Sequence, residues 1–181
     1  MKKIILLFLT FVLLACKQEP LQVIAEQAFH YNHEVFEDNK LAPRSTFFSF
    51  ENETIKEKES SSRFLSLNGE WKLYWVKNPK QRPTTFQNIE YDDSDWNTIL
   101  VPANWEVEGF GKPIYLDERY PFTTKWPDAP TDYNPVGTYR KIIELNNDFL
   151  SEDVILHFAG AKSAMYVYIN GEYVGYSQGS K

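Results

Sequence analysis

The sequence predicts an all-β protein with a sandwich fold. Several runs after residue 63 alternate apolar and polar side chains, which is the period of a half-buried strand. Asn-Gly pairs, which favour tight hairpin turns, stand at 68–69 and at 170–171. No segment after the first 15 residues carries a convincing helical pattern. Short strands with turn signals and no helices are typical of a β-sandwich.

The size and charge of the chain limit the kinds of domain and partner that can be expected. With 181 residues it is long enough for one domain of ordinary size. Hydrophobic residues make up 43% of the chain and aromatic residues 16%, so a sizeable core can form. The formal net charge is −6, and no cluster of lysine and arginine stands out. These features argue against nucleic acid as a partner.

The first residues predict an export signal. Lys2 and Lys3 precede an apolar run at 4–14 that only Thr10 interrupts. A run of eleven residues is too short for a membrane-spanning helix, which needs about 20 apolar residues. It has the length of a secretory signal core. Residues 1–15 are therefore interpreted as a signal peptide.

The end of this run resembles the lipobox of bacterial lipoproteins. Leu13, Leu14 and Ala15 stand directly before Cys16, and polar residues follow. We expect Cys16 to carry the lipid that anchors an exported lipoprotein to a membrane, in the periplasm or at the cell surface. A plain signal peptide with an incidental cysteine is the alternative. Cys16 is the one cysteine of the chain, so no disulfide is expected.

The next part of the chain, residues 16–62, is interpreted as the lipidated cysteine, a tether and an N-terminal arm that packs partly on the following domain. Its composition is mixed and polar, and residues 57–63 form a solvated run without apolar periodicity. The run Phe-Phe-Ser-Phe at 47–50 is a candidate short strand laid on the domain.

The strands of the domain follow in order. Runs at 64–67 and 70–76 flank the first Asn-Gly pair, and runs at 165–169 and 172–176 flank the second, so two hairpins are predicted. Further strands are predicted at 138–145 and 154–158, with His157 on the surface side of the second.

The segment 101–135 is predicted to be a long ordered loop. Proline lacks the amide hydrogen that a strand ladder needs, and long loops inside compact domains are usually functional. Trp105 and Trp126 flank this loop and are expected to be the most exposed aromatic side chains there. Aromatic faces stack on sugar rings, but most aromatic side chains of a small β domain belong to its core. The segment contains six prolines: Pro102, Pro113, Pro121, Pro127, Pro130 and Pro135.

Two acidic patterns are candidates for a metal site and a catalytic pair. Asp93, Asp95 and Asn97 alternate like the start of a calcium loop, but Thr98 stands where glycine is needed, so a polar turn before a strand is favoured. Glu106 and Glu108 would lie about 7 Å apart on an extended segment, a spacing compatible with an inverting glycosidase pair. Two solvated glutamates are the favoured interpretation of that pair.

The histidines do not predict a metal site. His30 and His33 are three residues apart, but no third ligand stands nearby. No arrangement typical of a nucleophile with its base and no phosphate-binding loop is present. The residues alone therefore predict no catalytic group and no cofactor in this chain.

Five ordered strings together resemble the N-terminal sugar-binding domain of glycoside hydrolase family 2, and most closely its large β-galactosidases. The resemblance covers about residues 64–181. The strings are Leu67-Asn68-Gly69-Glu70-Trp71; Val101-Pro102-Ala103-Asn104-Trp105; Pro113-Ile114-Tyr115 with Tyr120-Pro121-Phe122; Asn134-Pro135-Val136-Gly137-Thr138-Tyr139-Arg140; and Asn170-Gly171 with Val174-Gly175-Tyr176-Ser177.

The resemblance implies a jelly-roll, galactose-binding-like β-sandwich over residues 63–181, C-terminally incomplete. In the family, immunoglobulin-like domains and a (β/α)₈ barrel follow, and the barrel carries the acid/base and nucleophile glutamates. The chain is thus expected to be a truncated N-terminal part of an exported β-galactosidase and inactive alone. Magnesium and sodium are implied for the full-length enzyme. A non-catalytic carbohydrate-binding or structural surface lipoprotein is the alternative.

The resemblance also implies substrate contacts in the long loop. The family places a polar residue, usually asparagine, near the galactose hydroxyls, and the matching position is Asp117. With Tyr115 and Trp105 it forms the expected substrate-binding set. An aspartate that the family holds near the sugar and a sodium ion is matched by Gly179, so that contact is expected to be absent or made by backbone carbonyls, which leaves room for a substrate other than lactose.

Overall fold

The structure is a computed structural model that describes residues 29–114, 122–123, 125–130 and 132–179. The signal peptide, Cys16, Tyr115 and Asp117 lie outside the described residues. Within them the fold is built from antiparallel strands, as predicted. In chain order these are β1 (Glu37–Asp38), β2 (Gly69–Val76), β3 (Asn97–Val101), β4 (Val136–Arg140), β5 (Ala164–Ile169) and β6 (Glu172–Gln178).

The strands form two three-stranded antiparallel sheets, in the orders β3-β2-β4 and β1-β6-β5. The all-β sandwich class predicted from the sequence is confirmed. Helical structure in the described ranges is short: a four-residue helix, α1, at Asn147–Leu150 and 3₁₀ turns at Phe29–Tyr31, Lys58–Ser60 and Pro79–Gln81. Among these helices none is long and apolar enough to cross a membrane.

The core lies around β2, which pairs with β3 on one edge and β4 on the other. Leu73 is fully buried between its partners in the two flanking strands. Ile99 of β3 and Trp96 before it are buried beside β2, with Tyr74 packing on the Trp96 ring at 5.5 Å. The alternation of apolar and polar residues that predicted β2 therefore marks its two faces.

The hairpin predicted at the second Asn-Gly pair is present. Asn170 and Gly171 have φ of 52° and 92°, the positive values that such a turn requires. They join β5 to β6, which pair along their length with a register shift between Val167 and Tyr168. Tyr176 of β6 is 2% exposed and is the buried centre of this sheet.

The hairpin predicted at the first Asn-Gly pair is wrong. Gly69 does take a positive φ of 108°, but it begins β2 directly. Both edges of β2 are occupied by β3 and β4, so residues 64–67 find no edge to join. They are connected to β2 instead by the Trp71 indole, which donates from Nε1 to the Leu67 carbonyl at 2.8 Å.

The candidate strand at 47–50 is also absent. The segment has no ladder, and its aromatic side chains form a local cluster instead. The Phe48 ring packs edge-on against Phe50 at 4.9 Å and against Phe64 at 6.2 Å. Nearby, Ser61 is buried and donates to the Glu51 carboxylate. The segment 57–63, which was predicted to be solvated, therefore contains one buried residue.

Of the strands predicted at 138–145 and 154–158, the first is present only as far as Arg140 and the second is absent. β4 ends at Arg140, and neither 141–145 nor 154–158 joins a sheet in the described residues. Their apolar side chains are exposed, with Ile142 at 91% and Ile155 at 57%. A strand needs a paired neighbour as well as an alternating sequence, and these segments have none here. His157 is exposed, as expected, although it does not lie on a strand.

The N-terminal arm before the domain pairs with the sheet of order β1-β6-β5. β1 pairs with the end of β6, and the Asn39 side chain donates to the Val174 carbonyl at 2.6 Å. A Cβ at Gly175 would lie 2.8 Å from the Asp38 carbonyl oxygen, so glycine allows the two backbones to approach. In the described parts of 102–135 no strand occurs, in agreement with the predicted long loop.

Candidate functional site

Trp105 lies at the start of the long loop and packs against the sheet of order β3-β2-β4. Its indole meets Trp75 of β2 edge-on, with ring centroids 6.5 Å apart and planes at 85°. Trp105 is half-buried, so the expectation that it would be among the most exposed aromatics is wrong. Trp126 is 80% exposed, as expected. The difference arises because Trp105 covers the edge of a sheet whose centre carries another tryptophan.

Two glycines allow this aromatic packing. A Cβ at Gly137 in β4 would lie 2.7 Å from Cζ3 of Trp105, closer than real contacts allow. A Cβ at Gly111 would lie 3.0 Å from Cζ2 of Trp75, and its φ of +77° also favours glycine. The indole of Trp105 is thus held at a fixed height above β4.

Glu106 and Glu108 lie in a turn at the start of the long loop. The premise that they lie on an extended segment is wrong, because residues 105–109 form a turn in which Val107 N donates to the Asn104 carbonyl at 3.0 Å. Glu108 is exposed, while Glu106 is half-buried. Burial, together with the charge of Glu106, raises the pKa of the Tyr139 phenol. The favoured interpretation, two solvated glutamates, fits Glu108, whereas Glu106 is half-buried.

A groove of about 440 Å³ lies between separate parts of the long loop. Its half-buried side chains include Phe122 and Tyr133, whose rings are 6.4 Å apart and inclined by 26°. One wall ends at Ile114, directly before the predicted contacts Tyr115 and Asp117. The groove is lined by Lys112, Ile114, Phe122, Thr123, Pro130, Asp132 and Tyr133.

A second groove, of about 410 Å³, lies between residues 85–90 and the β5–β6 turn. Arg140 holds the loop at residues 85–90 in place. Its guanidinium donates from Nη1 to the backbone carbonyls of Phe86 and Asn88. It also donates from Nε to Asp93 Oδ2 at 2.8 Å. Arg140 was named in one of the five strings but was not among the predicted site residues. The signal that points to it is an arginine in β4, a strand that is otherwise uncharged.

The Asp93 carboxylate is thus paired with an arginine, which is consistent with the polar turn expected at that position. Ser94 N donates to Asp92 Oδ1 at 3.0 Å, a turn stabilised by its own side chain. No group of three or more histidine, cysteine, aspartate or glutamate residues suited to a metal ion occurs in the part of the chain that the structure describes.

His30 and Gly179 both make contacts with the strand β5 or the residue just before it. His30 Nδ1 lies 2.9 Å from the Tyr166 hydroxyl, which ties the arm to β5. Gly179 has a φ of +96°, and its amide donates to the Ser163 carbonyl at 2.7 Å. His33 is exposed.

Comparison with known proteins identifies the family. The model of the glycosyl hydrolases family 2 sugar binding domain matches residues 64–181. The chain belongs to glycoside hydrolase family 2. The family resemblance found in the five strings is thereby confirmed. Four of the strings fall at the start of β2, on the start of the long loop, on β4 and on the β5–β6 hairpin.

Curated relatives of this family 2 chain carry the name β-galactosidase. That of Halalkalibacterium halodurans is 37% identical over 151 residues, which is 81% of this chain and 15% of the relative. That of Lactobacillus delbrueckii subsp. bulgaricus is 35% identical over 159 residues, 86% of this chain and 16% of the relative. That of Photobacterium profundum is 40% identical over 116 residues, 64% of this chain and 11% of the relative.

The covered fractions show how much of each relative the chain spans and that the similarity extends before residue 64. The chain spans only about 11–16% of the length of these relatives. Because residues 64–181 are about two thirds of the chain, matches covering 81% and 86% of it extend into the segment before residue 64. At least part of the arm that pairs with β6 therefore lies within the region of similarity.

Proposed function

We propose that this chain is the N-terminal carbohydrate-binding part of a β-galactosidase that hydrolyses terminal β-D-galactosides in carbohydrate catabolism. The observation that carries the proposal is the family 2 sugar binding domain over residues 64–181, together with relatives named β-galactosidase that match most of the chain. The chain contributes substrate contacts, and the acid/base and nucleophile that break the glycosidic bond lie outside these residues.

In this proposal the long loop supplies the sugar contacts. Trp105 presents a rigid aromatic ring, because Trp75 and Gly137 fix its position. Asp117 accepts hydrogen bonds from sugar hydroxyls, and Tyr115, two residues earlier in the sequence, is the other predicted contact. Magnesium and sodium stay predictions for the full-length enzyme, on the family resemblance alone.

The proposal is tested with a chimera. The segment of the H. halodurans β-galactosidase that matches this chain is replaced by this chain's residues, and hydrolysis of a chromogenic β-galactoside is measured. We expect the chimera to be active and a variant lacking the segment to be inactive. The 181-residue chain alone is expected to give no turnover. Turnover by the pure chain, or a folded but inactive chimera, contradicts the proposal.

Export as a lipoprotein is a separate proposal. It rests on the basic start, the apolar run at 4–14 and Cys16 directly after Ala15. Labelled fatty acid is expected to be incorporated into the protein in a bacterial host and lost in Cys16→Ala. A protein that is exported but unlabelled would support the plain signal peptide instead.

A further inference from the structure

We propose that residues 29–39 of the arm form a pH-sensitive strap, which protonation of His30 releases from the sheet of order β1-β6-β5, so that the outer edge of β6 is uncovered. The strap is attached to the sheet at two places, the turn Phe29–Tyr31 and the strand β1. The first attachment contains a histidine, the side chain that ordinarily changes charge between pH 5 and 8. The inference goes beyond the proposed function and does not depend on sugar binding.

The attachment at β1 is small and exposed. β1 consists of two residues, paired with Ser177 and Tyr176, whereas strands usually have about five or six residues. The Gln178 amide also donates to the Phe36 carbonyl at 2.9 Å, and residues 36–39 are all exposed. Short ladders with exposed hydrogen bonds open at a low cost in free energy. The strap therefore depends on its other attachment as well.

The attachment at the turn Phe29–Tyr31 is made by aromatic side chains and one phenol. The Tyr166 hydroxyl of β5 accepts from the His30 amide at 3.1 Å and lies 2.9 Å from His30 Nδ1. The Phe29 ring packs on Tyr176 of β6, with ring centroids 5.2 Å apart. His30 thus contacts the sheet through its backbone and through one of its two ring nitrogens.

The charged form of His30 does not fit this attachment. The other ring nitrogen, Nε2, is buried and has no hydrogen-bond partner within the described residues. Whichever nitrogen carries the proton in the neutral ring, the charged ring has an N–H at Nε2 as well as at Nδ1. Protonation therefore places an unpaired donor and a positive charge at a buried position, which is unfavourable.

The groups around His30 do not offset that cost. Arg82, directly after the 3₁₀ turn at Pro79–Gln81, is the charged group that acts on His30, and no described carboxylate acts with it. The ionisable side chains packed on the ring are Tyr31 of the strap and Tyr166 of β5, at 4.2 and 5.9 Å between centroids. A phenol supplies no negative charge in mild acid.

The sign of the pH dependence follows from these surroundings. Burial, and secondarily the charge of Arg82, lowers the pKa of His30 in the attached strap. In the released strap the imidazole is solvated and titrates near 6.5. The attachment is therefore complete above about pH 6.5 and weakens as the pH falls below that value.

The test is amide hydrogen exchange of the 181-residue chain, followed by NMR at pH 7.5 and 5 and corrected for the intrinsic pH dependence of exchange. The Gln178 amide reports on release, because its acceptor is the Phe36 carbonyl of the strap. Its protection is expected to fall about 5- to 30-fold, since a histidine that titrates near 6.5 only when released shifts the equilibrium by at most about 30-fold over this range. Amides that pair β5 with β6 are expected to keep their protection.

Three variants assign the effect to His30. His30→Gln removes the titrating group and should reduce the fall at Gln178 to less than about twofold. His33→Gln changes an exposed histidine of the same strap and is the matched control, with the full fall expected. Tyr166→Phe removes the hydroxyl that holds the His30 amide, so the protection of Gln178 should be lower already at pH 7.5.

Several outcomes overturn the inference. The same fall in His30→Gln as in the unmodified chain, or its loss in His33→Gln, would show that His30 does not control the strap. Equal loss of protection at Gln178 and throughout the β5–β6 ladder would indicate unfolding of the sheet instead of release. Constant protection of Gln178 between pH 7.5 and 5 would exclude the switch. Hydrolysis by the chimera does not bear on these outcomes, so the proposed function is judged separately.

Discussion

Gly137 lies directly against the indole of Trp105, at a distance that excludes any side chain. A Cβ at this position would lie 2.7 Å from Cζ3 of Trp105 and 2.8 Å from Cε2 of Tyr139. The strand that carries Gly137 and the loop that carries Trp105 are therefore fitted to each other, and the height of the indole above the sheet depends on this glycine.

Gly137→Ala is expected to destabilise the domain by about 1–3 kcal/mol, the usual cost of adding a methyl group to packed surroundings. The measurement is urea unfolding followed by tryptophan fluorescence. The double variant with Trp105→Leu is expected to cost less than the sum of the single variants, because the smaller side chain leaves room for the added methyl. Strict additivity would contradict the assigned contact.

Arg140 is predicted to be the main polar anchor of the loop at 86–93. Its side chain and that of Asp93 are 20% and 28% exposed, and it also holds the carbonyls of Phe86 and Asn88. Arg140→Met should cost about 1.5–3 kcal/mol, since it leaves a carboxylate and backbone acceptors without their donor. Lys40→Met is the control, because the exposed Lys40–Glu37 pair should contribute less than about 1 kcal/mol. Equal costs in the two variants would contradict this role.

The contact of His30 with the second sheet predicts a loss of stability in mild acid. Burial, and secondarily the charge of Arg82, lowers the pKa of His30 below 6.5 in the folded protein. The folded state thus favours neutral His30, and stability present above pH 6.5 is lost as the pH falls below that value. His30→Gln, which cannot become charged, should reduce this loss between pH 7.5 and 5 in urea unfolding. An unchanged pH profile in the variant would show that His30 is not responsible.

Tyr176 predicts a second loss of stability, in alkali. Burial, followed by the neighbouring Tyr166, raises the pKa of the Tyr176 phenol to about 12. Its contribution is complete below pH 10 and declines as the pH rises from 10 toward 12, because the unfolded chain ionises first. Tyr176→Phe should be less stable near pH 8, having lost the bond to Gln178 Oε1, but should lose less further stability in alkali. A decline as steep as that of the unmodified chain would contradict the assignment.

The sequence predicted those elements whose signals are local. The alternation in β2 and the positive-φ demands of Asn170 and Gly171 are properties of neighbouring residues, and both were correctly interpreted. The first Asn-Gly pair gave a wrong hairpin prediction, because both edges of β2 pair with β3 and β4, which are distant in sequence. Alternation at 154–158 likewise predicted a strand, but no neighbour pairs with it in the described residues.

The candidate site was predictable only in outline. The six prolines and flanking tryptophans located the long loop, but not the burial of Trp105, which depends on glycines in β4 and in the loop itself. The anchoring of two loop segments on Trp75 and Lys77 joins residues more than 30 positions apart, so no local pattern reveals it. The roles of Tyr115 and Asp117 stay predictions.

The most direct test of the central claim, that this domain holds sugar and does not break the glycosidic bond, is steady-state hydrolysis of a chromogenic β-galactoside by the H. halodurans chimera and its variants. We predict that Trp105→Ala and Asp117→Ala lower kcat/KM about tenfold or more, while a Glu106→Gln, Glu108→Gln double variant keeps kcat within about twofold. Loss of turnover in the glutamate variant, with full activity in the Trp105 and Asp117 variants, would contradict the account.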